Sequence, residues 1–257
     1  MSRRPYLLAE TTWATVRDTE YDVAVLPWGS TEAHNFHLPY ATDTMQCDHI
    51  AAEAARRAWD EGAQVLVLPT VPFGVNTGHR DIPGTINMHP STQASVLHDV
   101  AESLATQGFS KLVVLNGHGG NAFKPLVREV QATFDDLFLC VVNWYDVGDQ
   151  DAIFDEPGDH AGEMETSVML QAAPDQVRPI DEAGEGTARV VSIEELRESW
   201  AWAERRWTDV TDDTGVGNPK AASAEKGAAY VDIVTRTIAS LLVTLAGTDL
   251  DDLYQEA

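Results

Sequence analysis

Cysteine is nearly absent from this 257-residue chain, which holds only Cys47 and Cys140, far apart and in no Cys-x-x-Cys pairing. That excludes a disulfide-stapled scaffold and a thiolate zinc site, and it suits the reduced thiols of a cytoplasm. Basic residues are scarce as well: 17 Lys and Arg face 41 Asp and Glu, for a net charge of −24. A field of this sign repels phosphate backbones and anionic headgroups, so neither nucleic acid nor a membrane is expected as a partner, and a small-molecule substrate is. The same acid excess suits a high-salt medium, where self-repulsion is screened. No long apolar run is present. The most apolar stretch, 233–245, is interrupted by Thr235, Arg236, Thr237, Ser240 and Thr244, well short of the ~20 apolar residues of a membrane span. The first ten residues hold no apolar run of signal-peptide length before Glu10, so no export is expected. Repeats, low-complexity tracts and clean linkers are also missing, which favours a single α/β domain over 1–257.

What is present alternates. Short runs rich in Val and Leu at 23–27, 64–68, 111–115 and 137–142 read as strands buried on both faces. Between them, 43–60, 91–106 and 121–134 carry helical spacing, with Ser91 as a candidate N-cap and Gly108 as a stop for the second. Strand and helix in alternation give right-handed crossovers and a mainly parallel sheet covered by helices, an α/β layered fold. The second half is less regular. Helices are expected at 162–172, 193–207 and 221–246, the middle one carrying Trp200, Trp202 and Trp207 packed against the main body.

Histidines and carboxylates fall after the strands. Residues 29–39 read Gly-Ser-Thr-Glu-Ala-His-Asn-Phe-His-Leu-Pro, and Asp43 opens the next helix. Glu32 and His34 are two apart, so an extended segment presents both on one face. His79 and Arg80 lie in the long loop after the second strand, Asn-Gly-His-Gly-Gly-Asn (116–121) follows the third, and Asp-His-Ala-Gly-Glu-Met-Glu (159–165) follows the fourth. Taken singly, a histidine at a strand end is more often a hydrogen-bonded structural residue. Jointly, Glu32, His34, Asp43, His118, His160 and Glu165 converge on the carboxyl edge of one sheet, where open α/β folds bind ligands. Nitrogen and carboxylate donors without cysteine suit divalent Zn, Mn or Fe with positions left for water. The glycines around His118 lack the Lys-Ser/Thr end of a P-loop and do not match a dinucleotide fingerprint.

The stretches 29–43, 83–85, 116–121 and 160–167, with a further segment at 215–227, resemble the creatininase family of metal-dependent amidohydrolases. The resemblance implies a three-layer α/β/α fold, two divalent metal ions per subunit, hydrolysis of a C–N bond in a small cyclic or linear amide, and a ring-like homo-oligomer, often a hexamer. It places Glu32 and His118 on one metal, His34 on the other, and Asp43 between them. Creatininase has a glutamate two residues after the histidine matched by His118, where this chain has Gly120; Glu165 is the carboxylate expected to replace it. Asn35 and Phe36 stand where the family usually has Gly-Pro, and Phe36 adds an apolar surface for substrate.

Metal-activated water is the nucleophile this implies. His160 and Glu163 are the candidate proton carriers, His160 or the amides of Gly119 and Gly120 the oxyanion donors, and His79 and Arg80 the substrate clamps, unless these two simply pair with Asp81 or another loop acid. The same centre would also serve a formamide, a lactone or the ring opening of a cyclic keto-sugar. A non-catalytic nucleotide- or metal-binding module is the rival from another class, and it leaves Glu32, His34 and Asp43 without a role.

Overall fold

The computed structural model describes residues 4–254. The first three residues of the amino-terminal stretch, and the last three of the chain, lie outside the described residues. Four strands, β1 (Val23–Trp28), β2 (Val65–Val67), β3 (Lys111–Asn116) and β4 (Phe138–Asn143), form one sheet in the order β2-β1-β3-β4. Every pairing is parallel, with Ala24 beside Leu112 and Val113 beside Cys140. Eight α-helices accompany them among the described residues: α1 (Trp13–Arg17), α2 (Thr42–Asp60), α3 (Pro90–Thr106), α4 (Phe123–Gln131), α5 (Glu163–Ala172), α6 (Glu194–Arg197), α7 (Trp207–Val210) and α8 (Ala224–Gly247).

Strand alternation sorts the core into two layers. Val23, Val25, Val65, Val113 and Leu115 face α2 and α8 through Ile50, Ala54, Val234, Ile238 and Leu242. Ala24, Leu26, Trp28, Leu112 and Val114 face α3 and α4 through Leu97, Ala101, Phe123 and Leu126. Both faces of β1 and β3 are buried, which is why those strands read as continuous apolar runs. The result is the three-layer α/β/α sandwich expected from sequence. Helix α8, the most apolar, packs its buried side on α2 and α5. At Gly227 a Cβ would lie 1.9 Å from the Ser167 carbonyl, so this close helix contact requires glycine.

The strand order locates the ligand crevice. The chain goes from β1 outward to β2, then crosses back over β1 to β3 and on to β4, so the order reverses between β1 and β3. Ligands in open α/β sheets bind beyond the carboxyl ends of strands at that switch point. The loops leaving β1 and β3 carry Glu32, His34 and His118.

Three expectations are corrected. The segment 193–207 is not one helix: Glu194–Arg197 is helical, Ser199 takes a left-handed φ of 64° that ends that turn, and helix resumes only at Trp207. Trp200 and Trp202 are therefore 71% and 84% exposed, and only Trp207 is packed into the body. Ser91 is not an N-cap; α3 starts one residue earlier with Pro90 at its first position and His89 before it, a place where the missing proline N–H costs nothing.

Candidate metal centre

Six side chains from three loops and two helix starts meet above β1 and β3. Asp43, in the first turn of α2, is buried and divides its two oxygens: Oδ1 lies 3.0 Å from His34 Nε2, and Oδ2 lies 3.3 Å from His118 Nδ1. Glu32 Oε1 is 2.8 Å from the same His118 nitrogen. Glu165 Oε1 is 3.9 Å from His34 Nε2, and His160 Nδ1 is 3.9 Å from Glu32 Oε1. Glu32, Asp43 and His118 thus form one set of mutually close donor atoms, and His34, Asp43 and Glu165 form a second that shares Asp43; His160 reaches a third grouping with Glu32 and His34.

The backbone fixes which ring nitrogen of each histidine faces inward. His34 Nδ1 lies 3.1 Å from the Glu32 carbonyl, His118 Nε2 lies 3.0 Å from the Val75 carbonyl, and His160 Nε2 lies 2.8 Å from the Ala33 carbonyl. A carbonyl only accepts, so each of these nitrogens carries the proton and the opposite nitrogen of the neutral ring presents a lone pair. Those lone pairs face carboxylate oxygens. Glu32 Oε2 and Asp43 Oδ2 are buried without a hydrogen-bond partner. Acceptors facing acceptors in a buried pocket demand a cation between them, and carbonyl-anchored imidazoles are the usual outer support of a metal ligand. The donor set fits divalent ions.

Without an ion, protons are drawn into the same positions. Burial disfavours the charged imidazole of His34, but Asp43, with Glu165 and Glu32, outweighs it and raises the pKa to about 10. His118 is raised likewise by Glu32 and Asp43 against its burial. Burial, partly offset by His34 and reinforced by Asp43, lifts Glu165 to about 7. His160 goes the other way: burial and the neighbouring His34 hold it at about 4, so it is neutral at pH 7.

The loop ahead of α5 aims two of these groups. Ala161 has a left-handed φ of 51°, a conformation that costs a non-glycine residue about 1–2 kcal/mol. Its amide donates to Glu165 Oε2, leaving Oε1 toward His34. His160 is paired antiparallel with Val216, through N–H donation to the Val216 carbonyl at 3.0 Å and acceptance from its amide at 2.8 Å. Trp207 packs edge-on against His160 and His79, with centroids 5.3 and 4.3 Å apart, and its indole N–H donates to the Thr214 carbonyl at 2.8 Å.

Other sequence candidates are placed as follows. His79 is buried, and its Nδ1 abuts Glu32 Oε2 without hydrogen-bond alignment. Arg80 is exposed, and it does not pair with Asp81, whose partner is Arg206 at 2.8 Å. Gly119 and Gly120 are exposed beside His118, and their N–H groups make no hydrogen bond among the described residues. Phe36 is 60% exposed. Asn35 before it takes a φ of 54° and is tied by its side chain to both polar groups of Gly184. Left-handed φ explains why a glycine suits position 35 and why asparagine replaces it at little cost.

Glu163 is not part of the cluster. Its Oε1 pairs with Lys226, and its Oε2 accepts the amides of Asp155 at 3.0 Å and Glu156 at 2.9 Å. Two residues on an α-helix point roughly 200° apart, so only one of Glu163 and Glu165 can face the histidines. Glu163 is a structural anchor for the turn before His160, and a proton-carrier role is withdrawn. Sequence reasoning preferred packing against the body to a substrate-wall role for Trp207, and gave no role to the amides of Asn116 and Asn121.

At position 120, a Cβ would sit 2.3 Å from the Val75 carbonyl oxygen and 2.5 Å from His118 Nε2. No side chain, and so no glutamate, fits there on this backbone.

The family model described as Creatininase: Creatinine amidohydrolase matches residues 9–242. This chain belongs to the creatininase family. Among its relatives, a "Mycofactocin precursor peptide peptidase" of Mycobacterium tuberculosis is 31% identical over 230 residues, 84% of each chain. The crystal structure of a proposed creatinine amidohydrolase of Bacteroides fragilis is 42% identical, covers 97% of this chain and 99% of its own, and superposes with a TM-score of 0.92. A structure described as "Creatininase Mn" shares the fold, with a TM-score of 0.78 at 23% identity over 95% of this chain and 99% of that one. As a creatininase-family protein, the chain is a metal-dependent amidohydrolase.

Proposed function

We propose that this protein hydrolyses a C–N bond in a small linear or cyclic amide at a two-metal centre, with Glu32, Asp43 and His118 holding one ion and His34, Asp43 and Glu165 the other. The observation that carries this reading is the division of Asp43 between two inward-facing imidazole nitrogens, one at each oxygen. Zn, Mn and Fe all suit nitrogen and carboxylate donors. Divalent ions held by these residues would polarise a carbonyl and lower the pKa of water from 15.7 to about 7, which would supply a nucleophile at neutral pH.

The chain's own residues do the rest. His160, neutral and with Nδ1 on the inner side, takes a proton from the attacking water and returns it to the leaving nitrogen. Trp207 and the Ala33 carbonyl hold that ring in place for both transfers. The amides of Gly119 and Gly120, without partners of their own, donate to the developing oxyanion. His79 borders the site, and Arg80 beyond it offers a guanidinium fork to a substrate carboxylate. Phe36, set by the left-handed Asn35 before it, offers an apolar contact that a creatinine ring does not need. The peptidase among the relatives favours the linear-amide form of the reading. The assembly is proposed to be a homo-oligomer of one α/β domain, working in the cytoplasm.

The test is metal analysis of the purified protein, then a screen of creatinine, formamides, lactones and short peptides against the metal-loaded and chelator-treated enzyme. Hydrolysis of an amide that is lost with the metal and restored by it is expected. Turnover that survives complete metal removal would overturn the reading.

A further inference from the structure

Beneath the ligand loops runs a ladder of buried side-chain amides that the proposed chemistry does not use. Asn121 is its centre. Its Oδ1 accepts the Val75 amide at 3.0 Å and Gln93 Nε2 at 2.9 Å, and its Nδ2 donates to Asn116 Oδ1 at 2.9 Å. Asn116 Oδ1 also accepts the His118 amide at 3.2 Å, while Asn116 Nδ2 donates to the His118 carbonyl at 3.0 Å. The circuit closes through the imidazole itself, because His118 Nε2–H donates to the Val75 carbonyl at 3.0 Å. On the far side of that carbonyl, the next amide, of Asn76, donates to Asn87 Oδ1 at 2.7 Å.

Val75 is thus pinned at its own N–H by Asn121 and at the following N–H by Asn87, and its carbonyl is left with the His118 ring to receive. Two glycines make room for this. A Cβ at Gly74 would lie 2.7 Å from His118 Cδ2 and 3.0 Å from Asn121 Oδ1, and one at Gly120 would strike the Val75 oxygen and His118 Nε2. Substituting either would push the ring off the carbonyl that fixes its tautomer.

We propose that Asn121 is a positioning residue for the metal centre: by holding Val75 it keeps the Nε2 proton of His118 on that carbonyl and turns Nδ1 toward the ion shared with Glu32 and Asp43. Asn87 acts on the same carbonyl from the other side. Outer partners of this kind are worth about 10- to 100-fold in metal affinity. Gln93 donates to the same Asn121 oxygen but makes no hydrogen bond to Val75 or His118, so it serves as the internal control. The inference rests on the two-metal reading given above.

The experiment is a competitive Zn2+ titration of the full chain against a chromophoric chelator, with thermal melting of each metal-free variant. Asn121→Leu should bind one of two Zn2+ about 10- to 100-fold more weakly and leave the other unchanged, and Gln93→Leu should keep both affinities whatever its melting temperature. If Asn121→Leu does not fold, Asn87→Leu reads the same carbonyl and should give the same one-site loss. Wild-type affinity at both sites in the folded variant, or an equal loss in Gln93→Leu, would overturn the role of Asn121. Failure of the wild-type protein to take up Zn2+ at all would instead defeat the metal-centre reading.

Discussion

Asp43→Asn is the substitution whose effect should be felt at two places at once. The carboxylate stands 3.0 Å from His34 Nε2, where an effective dielectric of ~20 gives about 5 kcal/mol per unit of opposing charge. The rise of the His34 pKa from 6.5 to about 10, to which Glu165 and Glu32 add against burial, corresponds to about 5 kcal/mol for the site as a whole at 1.36 kcal/mol per unit. Both estimates are of the same order, and a divalent ion feels the lost charge more strongly than a proton. Asparagine is isosteric but offers one weak oxygen and one NH2, whose hydrogens would face a metal or a donor nitrogen. Allowing for relaxation and water, roughly a thousandfold weaker binding at each site follows, at 1.4 kcal/mol per tenfold. Asp43 does not cap the backbone of α2, so the fold should survive. The assay is metal content per chain after dialysis, with circular dichroism as the fold control. A folded Asp43→Asn protein retaining two ions at wild-type affinity would refute the shared-carboxylate argument.

Other outcomes follow from the same geometry. Glu165→Gln should lower occupancy at one site only, because the Glu32, Asp43 and His118 set does not include it; loss of both ions, or of neither, in dialysed protein would contradict this. Metal binding at pH 7 should release at least one proton per chain, since His34 is protonated below about 10 in the metal-free state, and affinity should fall as pH falls. Calorimetry in two buffers of different ionisation enthalpy measures that proton, and identical heats would count against it. The chelated protein should lose His34-linked stability as pH rises through about 10, having held it in full below the unfolded value near 6.5; a melting temperature that climbs over pH 8–10 would contradict that sign. Glu163→Gln should lower the melting temperature, because it removes the charge that pairs with Lys226 and one acceptor of the buried carboxylate, yet keep full metal content; loss of metal in a folded variant would return Glu163 to the site.

Much of this was legible in the chain because the physics was local. Val and Leu runs can be buried on both sides only between helical layers, and polar clusters following each run fall at the carboxyl edge whatever the loop shapes. Glu32, His34, Asp43, His118, His160 and Glu165 could be gathered on that ground alone. Glu163 could not be separated from Glu165 until the helix phase was known, since both precede the same apolar face. The indoles misled for a different reason. Trp200, Trp202 and Trp207 suggested a buried helix, but 200 and 202 cannot share a helix face, and Ser199 breaks the chain between them and α6. The amide circuit of Asn116 and Asn121 was hidden because its partners, Val75 and Asn87, belong to a long loop with no periodic signal. Its one trace was an asparagine at each end of a glycine-rich turn, a pattern that reads equally well as turn chemistry.

Anomalous diffraction from crystals grown with Zn2+ tests the central claim most directly. Two peaks are predicted, one bounded by Glu32, Asp43 and His118 and the other by His34, Asp43 and Glu165, with Asp43 contributing an oxygen to each. Crystals of a hydrolytically active preparation with no anomalous density among these residues would contradict it.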